Sequence, residues 1–174
     1  QLMEHEGRAV VFENSEDLVT RIDSDDLDVK AKDILVLKNI GPKGAPGMPE
    51  AGYIPIPMKL ARAGVKDMVR ISDGRMSGTA FGTIVLHVTP EAAIGGTLAY
   101  VQTGDRIRLS VKNREISLLV SEQEIQAEVQ KQLRMMPGQE KMVMDFYQKN
   151  PSAVASLRGT VYEEKILNLI KEKA

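Results

Sequence analysis

The chain has 174 residues, of which 43% are apolar, enough to bury the core of one domain, or of one domain with an appendage. Twenty-three basic residues against 24 acidic ones leave a net charge of −1, so neither a nucleic-acid surface nor an anionic membrane is indicated as a partner. Cysteine is absent, which excludes disulfides, thiolate zinc sites, cysteine nucleophiles and a self-contained iron–sulfur cluster. No apolar run approaches the roughly 18 residues of a membrane span. No signal peptide is visible, and a cytoplasmic location is the default expectation. Gln1 is not an initiator methionine, so the reading allows for a longer parent chain.

In chain order, Arg8 to Phe12 is a short β-type run. Ser15 is placed to cap a helix through Arg21, with Glu16 and Asp17 favouring its positive end. Ile34-Leu35-Val36-Leu37 is a continuous apolar run suited to a buried strand. Gly41-Pro42-Lys43-Gly44-Ala45-Pro46-Gly47-Met48-Pro49-Glu50 follows, and its glycines and prolines forbid regular structure. Pro57 opens a helix to about Ala63, which Gly64 ends in the left-handed region.

Val65–Ile71 and Thr83–Val88 read as strands. Between them lies Ser72-Asp73-Gly74-Arg75-Met76-Ser77-Gly78-Thr79-Ala80-Phe81-Gly82, a polar, glycine-punctuated loop of the kind that carries binding and catalytic groups. Thr89-Pro90-Glu91 reads as a cap and first turn of a short helix stopped at Gly95-Gly96. Leu98–Val101, Arg106–Val111 and Glu115–Val120 read as three more strands, the middle one alternating so that one face is solvated.

Ser121-Glu122-Gln123-Glu124 is a capping box, and the chain turns helical from there. Ile125, Val129 and Leu133 recur every four residues. Later helices are marked by Met142, Phe146 and Tyr147, and by Tyr162, Ile166, Leu169 and Ile170. The expected division is a strand-rich domain at 1–120 and a helical extension at 121–174.

The residues alone leave the chemistry open. Glu50 suits an anion-cradling loop, one oxygen ligand of Mg²⁺, or a solvated surface carboxylate. Ser77 has no histidine partner, because His5 and His87 sit in no triad-like motif, and a serine hydroxyl is a weak base unless a neighbour or a metal activates it. His87 reads as a packed, hydrogen-bonded side chain rather than a catalyst. Arg75 can clamp a carboxylate or pair with Asp73.

The 41–50 loop, Ser72-Asp73-Gly74-Arg75-Met76-Ser77-Gly78, His87-Val88-Thr89-Pro90-Glu91-Ala92-Ala93-Ile94-Gly95-Gly96 and Gly104-Asp105-Arg106-Ile107-Arg108-Leu109 together resemble, in order and spacing, the dihydroxy-acid and sugar-acid dehydratase family. Ala51 to Pro57 and Thr79 to Thr83 look most like its sugar-acid (aldonate) branch. The resemblance implies a mixed α/β fold, with a β-barrel-like swivelling domain flanked by helices that closes over a larger N-terminal domain. It also implies conversion of a 2,3-dihydroxy acid to a 2-keto-3-deoxy acid. Position by position, Glu50 would be a Mg²⁺ ligand, Ser77 the base taking the C2 proton, and Thr79 a hydrogen-bond partner of the substrate. In the complete family enzyme an iron–sulfur cluster accepts the leaving hydroxyl. This chain carries neither the cysteines nor the cluster-binding domain. The expectation is therefore no cofactor and no activity for the chain alone.

Pro137 to Lys141, Phe146 to Pro151, Leu157-Arg158 and Glu163 to Ile166 resemble instead the C-terminal helical arm of the trigger factor chaperone. That resemblance implies a fusion. Its helical arm would pack on the barrel, mediate self-association or bind unfolded protein.

Overall fold

The computed structural model describes residues 2–47, 54–76, 78 and 80–119, with residues 130, 134, 142, 145, 146, 149, 161, 167 and 171. The chain divides into two compact units, Gln1–Leu118 and Leu119–Ala174. In the second unit Leu119 ends a strand, and the nine other described positions are helical. The capping box at Ser121 and the apolar stripe beginning at Ile125 lie outside the described residues.

The first unit is built on a mixed six-stranded sheet. Its strands are β1 (Glu4–Phe12), β2 (Ile34–Leu37), β3 (Arg70–Ser72), β4 (Ile84–Val85), β5 (Arg106–Ser110) and β6 (Glu115–Leu119). They lie in the order β4-β3-β2-β1-β5-β6. The first four are mutually parallel, and β5 runs antiparallel to β1. Parallel neighbours need a crossover between them. Helix α1 (Ser15–Arg21) lies in the crossover from β1 to β2, and α2 (Met58–Arg62) in that from β2 to β3.

Side chains of successive strand residues point to opposite faces, and both faces here are covered, so the central strands are apolar throughout. Ala9, Val11, Ile34 and Val36 enter one core cluster with Val69, Ile71, Leu98, Ile107 and Leu109. Val10, Phe12, Leu35 and Leu37 enter the other with Leu18, Ile22, Ile40, Ile54 and Met68. Each fully buried side chain of this size contributes about 1.5–3 kcal/mol relative to exposure. At β5 the pattern changes. Arg106 and Arg108 face solvent and share Glu6 across the strand pair, at 2.9 and 3.1 Å.

Several sequence expectations need correction. The cap of α1 is Asn14 rather than Ser15, because its Oδ1 accepts the Asp17 N–H at 2.9 Å. The strands expected at Val65–Ile71 and Thr83–Val88 are shorter. Met68 and Val69 are apolar because they pack in the core, while ladder pairing in that strand is confined to Arg70–Ser72. Pro90 does not open a helix. Thr89–Pro90 is cis, and a 3₁₀ turn forms at Ala92–Ile94 after Glu91. Leu98–Val101 is not a strand but lies in and after a second 3₁₀ turn, Thr97–Tyr100. Its entry passes so close to the preceding chain that a Cβ on Gly96 would stand 1.7 Å from the Pro90 carbonyl oxygen. The expected helix after Pro57 is present as α2, and Gly64 ends it at φ 88°.

Candidate functional site

In parallel sheets the loops leaving the carboxyl ends of the strands form the usual ligand crevice. Here β2 and β3 are neighbours in register, with Leu37 opposite Ser72. The Pro/Gly loop leaves β2 and the Ser-Asp-Gly-Arg loop leaves β3, so the two stretches singled out in the sequence emerge side by side. The three candidate site residues, Glu50, Ser77 and Thr79, lie outside the described residues. The geometry that can be described is that of the loops that carry them.

One buried carboxylate joins the two loops, and a second ties the β2 loop to the segment after β4. Asp73, 2% exposed, accepts the backbone N–H groups of Asn39 at 3.2 Å, Ile40 at 3.0 Å and Ala92 at 2.9 Å. Glu91 accepts those of Lys43 at 2.7 Å and Gly44 at 3.1 Å. Charge-assisted bonds of this kind are among the stronger ones a protein makes. The Gly41 and Gly74 positions have no room for a side chain. A Cβ on Gly41 would stand 2.6 Å from Glu91 Oε2, and one on Gly74 would stand 2.6 Å from Ile40 Cδ1. Ala45 from one loop and Met76 from the other pack against the same apolar cluster.

Two buried cations lie on or beside the loop-bearing strands. Lys38 follows β2 and is 2% exposed. Its Nζ donates to Glu13 Oε1 at 3.0 Å and to the Ala99 carbonyl at 3.2 Å. Arg70 on β3 donates to the carbonyls of Ile54 at 3.1 Å and Phe81 at 2.6 Å.

The remaining candidates separate. His87 is exposed at φ 54°, not packed as expected, and its N–H bonds the Gly74 carbonyl at 3.1 Å. His5 lies elsewhere, its Nε2 2.9 Å from the Lys32 carbonyl oxygen. Arg75 is exposed, and the Asp73 carboxylate accepts backbone N–H groups. Sequence reasoning missed Asp73 and Glu91 as acceptors for the loop backbone, and Lys38 and Arg70 as buried cations. The available signal was an ionisable residue in or beside a run otherwise apolar or glycine-rich.

A mixed sheet whose adjacent parallel strands β2 and β3 each send out a pinned loop defines a domain with one loop-bearing edge. The sequence model for the dihydroxy-acid/6-phosphogluconate dehydratase C-terminal family matches residues 1–157, and the chain belongs to that family. It is 54% identical over 124 residues to an L-arabinonate dehydratase of Rhizobium leguminosarum bv. trifolii (strain WSM2304), a match that covers 71% of this chain and 21% of that protein. It is 53% identical over 125 residues to a 6-deoxy-6-sulfo-D-gluconate dehydratase of Pseudomonas putida, covering 72% of this chain and 22% of the relative. The chain thus spans about a fifth of the length of these dehydratases. It also contains a stretch of 55 residues, 32% of the chain, that is 87% identical to 12% of the trigger factor of Pelagibacter ubique (strain HTCC1062). The family match extends past residue 120 into the second unit.

Proposed function

We propose that the first unit is the substrate-side half of a hydro-lyase acting on a sugar acid, and that Glu50, Ser77 and Thr79 are its contribution to the active site. One observation carries this reading. The loops bearing the three residues leave neighbouring strands at the same edge and are tied together through Asp73. Ser77 Oγ would take the proton from C2 of a 2,3-dihydroxy acid. The C–H electron pair becomes the C2–C3 double bond, hydroxide leaves C3, and the enol tautomerises to a 2-keto-3-deoxy acid. Thr79 would hydrogen-bond the substrate and fix C2 against Ser77.

A magnesium ion, when bound, would favour ionised oxygens near the reacting carbons. Glu50 can donate one oxygen to it, and Mg²⁺ takes its other ligands from water, substrate and other carboxylates. Among the described residues no group of three His, Cys, Asp or Glu side chains could hold a metal. An iron–sulfur cluster does not fit this chain, which has no cysteine. The remaining ligands belong to a partner domain, and the chain by itself is expected to be inactive.

The 87% match to trigger factor favours a second, compatible role for the tail: binding unfolded protein or self-association through a helical arm. Sedimentation of the chain with and without residues 121–174, together with an aggregation assay on an unfolded client, tests that role. The tail reading fails if neither assay distinguishes the two forms.

The test of the enzymatic reading is a graft. Residues 1–119 replace the matching segment of the L-arabinonate dehydratase. The expected result is 2-keto-3-deoxy acid formation that disappears on Ser77→Ala and Glu50→Gln. A graft that turns over equally well with either substitution rules out these roles. Turnover by the present chain without a partner overturns the half-site reading.

A further inference from the structure

The same two buried side chains, Asp73 and Arg70, hold the described flanks of two segments, between Ile40 and Ile54 and between Asp73 and Phe81. At the upstream end Asp73 receives the N–H groups of Asn39 and Ile40, where the first loop leaves β2. Asp73 itself begins the second loop, and its Oδ2 also holds Ala92. At the downstream end the Arg70 guanidinium spans both returning strands of chain. Nη1 donates to Ile54, just after the first loop, and Nη2 to Phe81, just after the second. Asp67 lies 3.8 Å from Arg70 Nη2 and accepts from both the N–H and the hydroxyl of Thr83. Gly82 is fitted to this contact. It has φ 103°, and a Cβ there would stand 2.4 Å from Arg70 Nη2 and 2.5 Å from Asp67 Oδ1.

Burying a guanidinium is costly unless hydrogen bonds meet its donors, and an apolar residue would fill a β-sheet core at lower cost. A planar fork can bridge two carbonyls from separate chain segments, which the single ammonium of lysine does less well. We propose that Arg70 and Asp73 are positioning residues, a two-point clamp that fixes the distance between the loops carrying Glu50 and Ser77. The functional meaning of the clamp rests on the roles given to those two residues above. The clamp itself can be measured without them.

The test uses the full chain. Because it contains no cysteine, Lys43→Cys and Gly78→Cys provide the only two thiols for spin labels. Both positions are exposed, and a Cβ on Gly78 meets nothing within 4 Å. Dipolar EPR then reads the distance between the loops, and circular dichroism confirms cooperative melting. The parent is expected to give one narrow distance. Arg70→Met, Arg70→Lys and Asp73→Asn are each expected to at least double its width. Arg8→Met removes another paired arginine, one bonded to Asp28 and Asp33, and is expected to leave the width unchanged. A folded Arg70 or Asp73 variant with parental width overturns the clamp. So does equal broadening by Arg8→Met, which would mean general loosening. Failure of all three clamp variants to fold would make these residues folding determinants and sink the positioning role. If the clamp holds while the graft tolerates Ser77→Ala, the catalytic assignment fails and the clamp stands.

Discussion

Glu91 Oε2 accepts the Lys43 N–H at 2.7 Å across 48 residues of chain, and the contact leaves Gly41 no room for a Cβ. Gly41→Ala should therefore push the carboxylate off two backbone donors. The expected cost is about 1–3 kcal/mol, typical of overpacking a filled site. Glu91→Ala should lose a similar amount, since two N–H groups then lack their acceptor. Urea unfolding of the whole chain reads both. Stability unchanged by either substitution would show that the loop does not depend on this contact.

The Glu6 carboxyl is held below its ordinary value of 4.5 first by Arg106 and then by Arg108. A depressed carboxyl adds stability that is fully present above its unfolded value and is lost as pH falls through its folded value. The Glu6→Gln chain should therefore show a shallower loss of stability below about pH 4.5 than the parent, and little pH-dependent difference from it above. The pair is exposed, so the effect is on the order of 0.2–1 kcal/mol. Parallel acid-denaturation curves for the two chains would contradict it.

Leu37→Ala removes a fully buried side chain from β2 one residue before the loop-bearing edge. Leucine-to-alanine changes in packed cores cost about 2–5 kcal/mol. Thermal melting should show this loss. A cost near zero would mean that the cluster around Phe12 and Met68 can collapse into the gap.

In the grafted dehydratase, Ser77→Ala should lower kcat by roughly 10²–10⁴-fold, the contribution of a positioned general base. Thr79→Ala, which would remove a substrate contact and no proton acceptor, should change KM more than kcat. Steady-state kinetics with the aldonate separates the two roles, and identical profiles for the two variants would refute the division.

Both core clusters, as far as the described residues go, draw on the first unit alone. A chain ending at residue 119 should therefore melt cooperatively. Loss of the transition on truncation would show that the tail completes the fold.

How much of this was legible depended on what each residue's neighbours are. Ile34–Leu37 was legible because burial on both faces leaves no polar position in the run. Arg106–Ser110 was legible for the opposite reason, one wet face and a clean alternation. Leu98–Val101 was misread because four residues are too few to separate a strand from a turn of helix. The partners of Asp73 could not be read, since they are backbone N–H groups, which nearly every residue carries. Arg70 was hidden inside a stretch read as plain strand. The family resemblance nominates Glu50, Ser77 and Thr79 because it compares whole motifs. It was silent on the clamp, which is a matter of contacts between motifs.

β1 is bonded on one flank to β2 and on the other to β5, where Arg106 reaches Glu6 across 100 residues of chain. The near partner is available early in synthesis and the far one only after most of the unit has left the ribosome. Until then β1 carries a bare row of backbone groups able to pair with any passing strand. Recruiting β5 closes a large loop and should set the pace of folding. The period before that closure is when a nascent chain of this design is most exposed to aggregation.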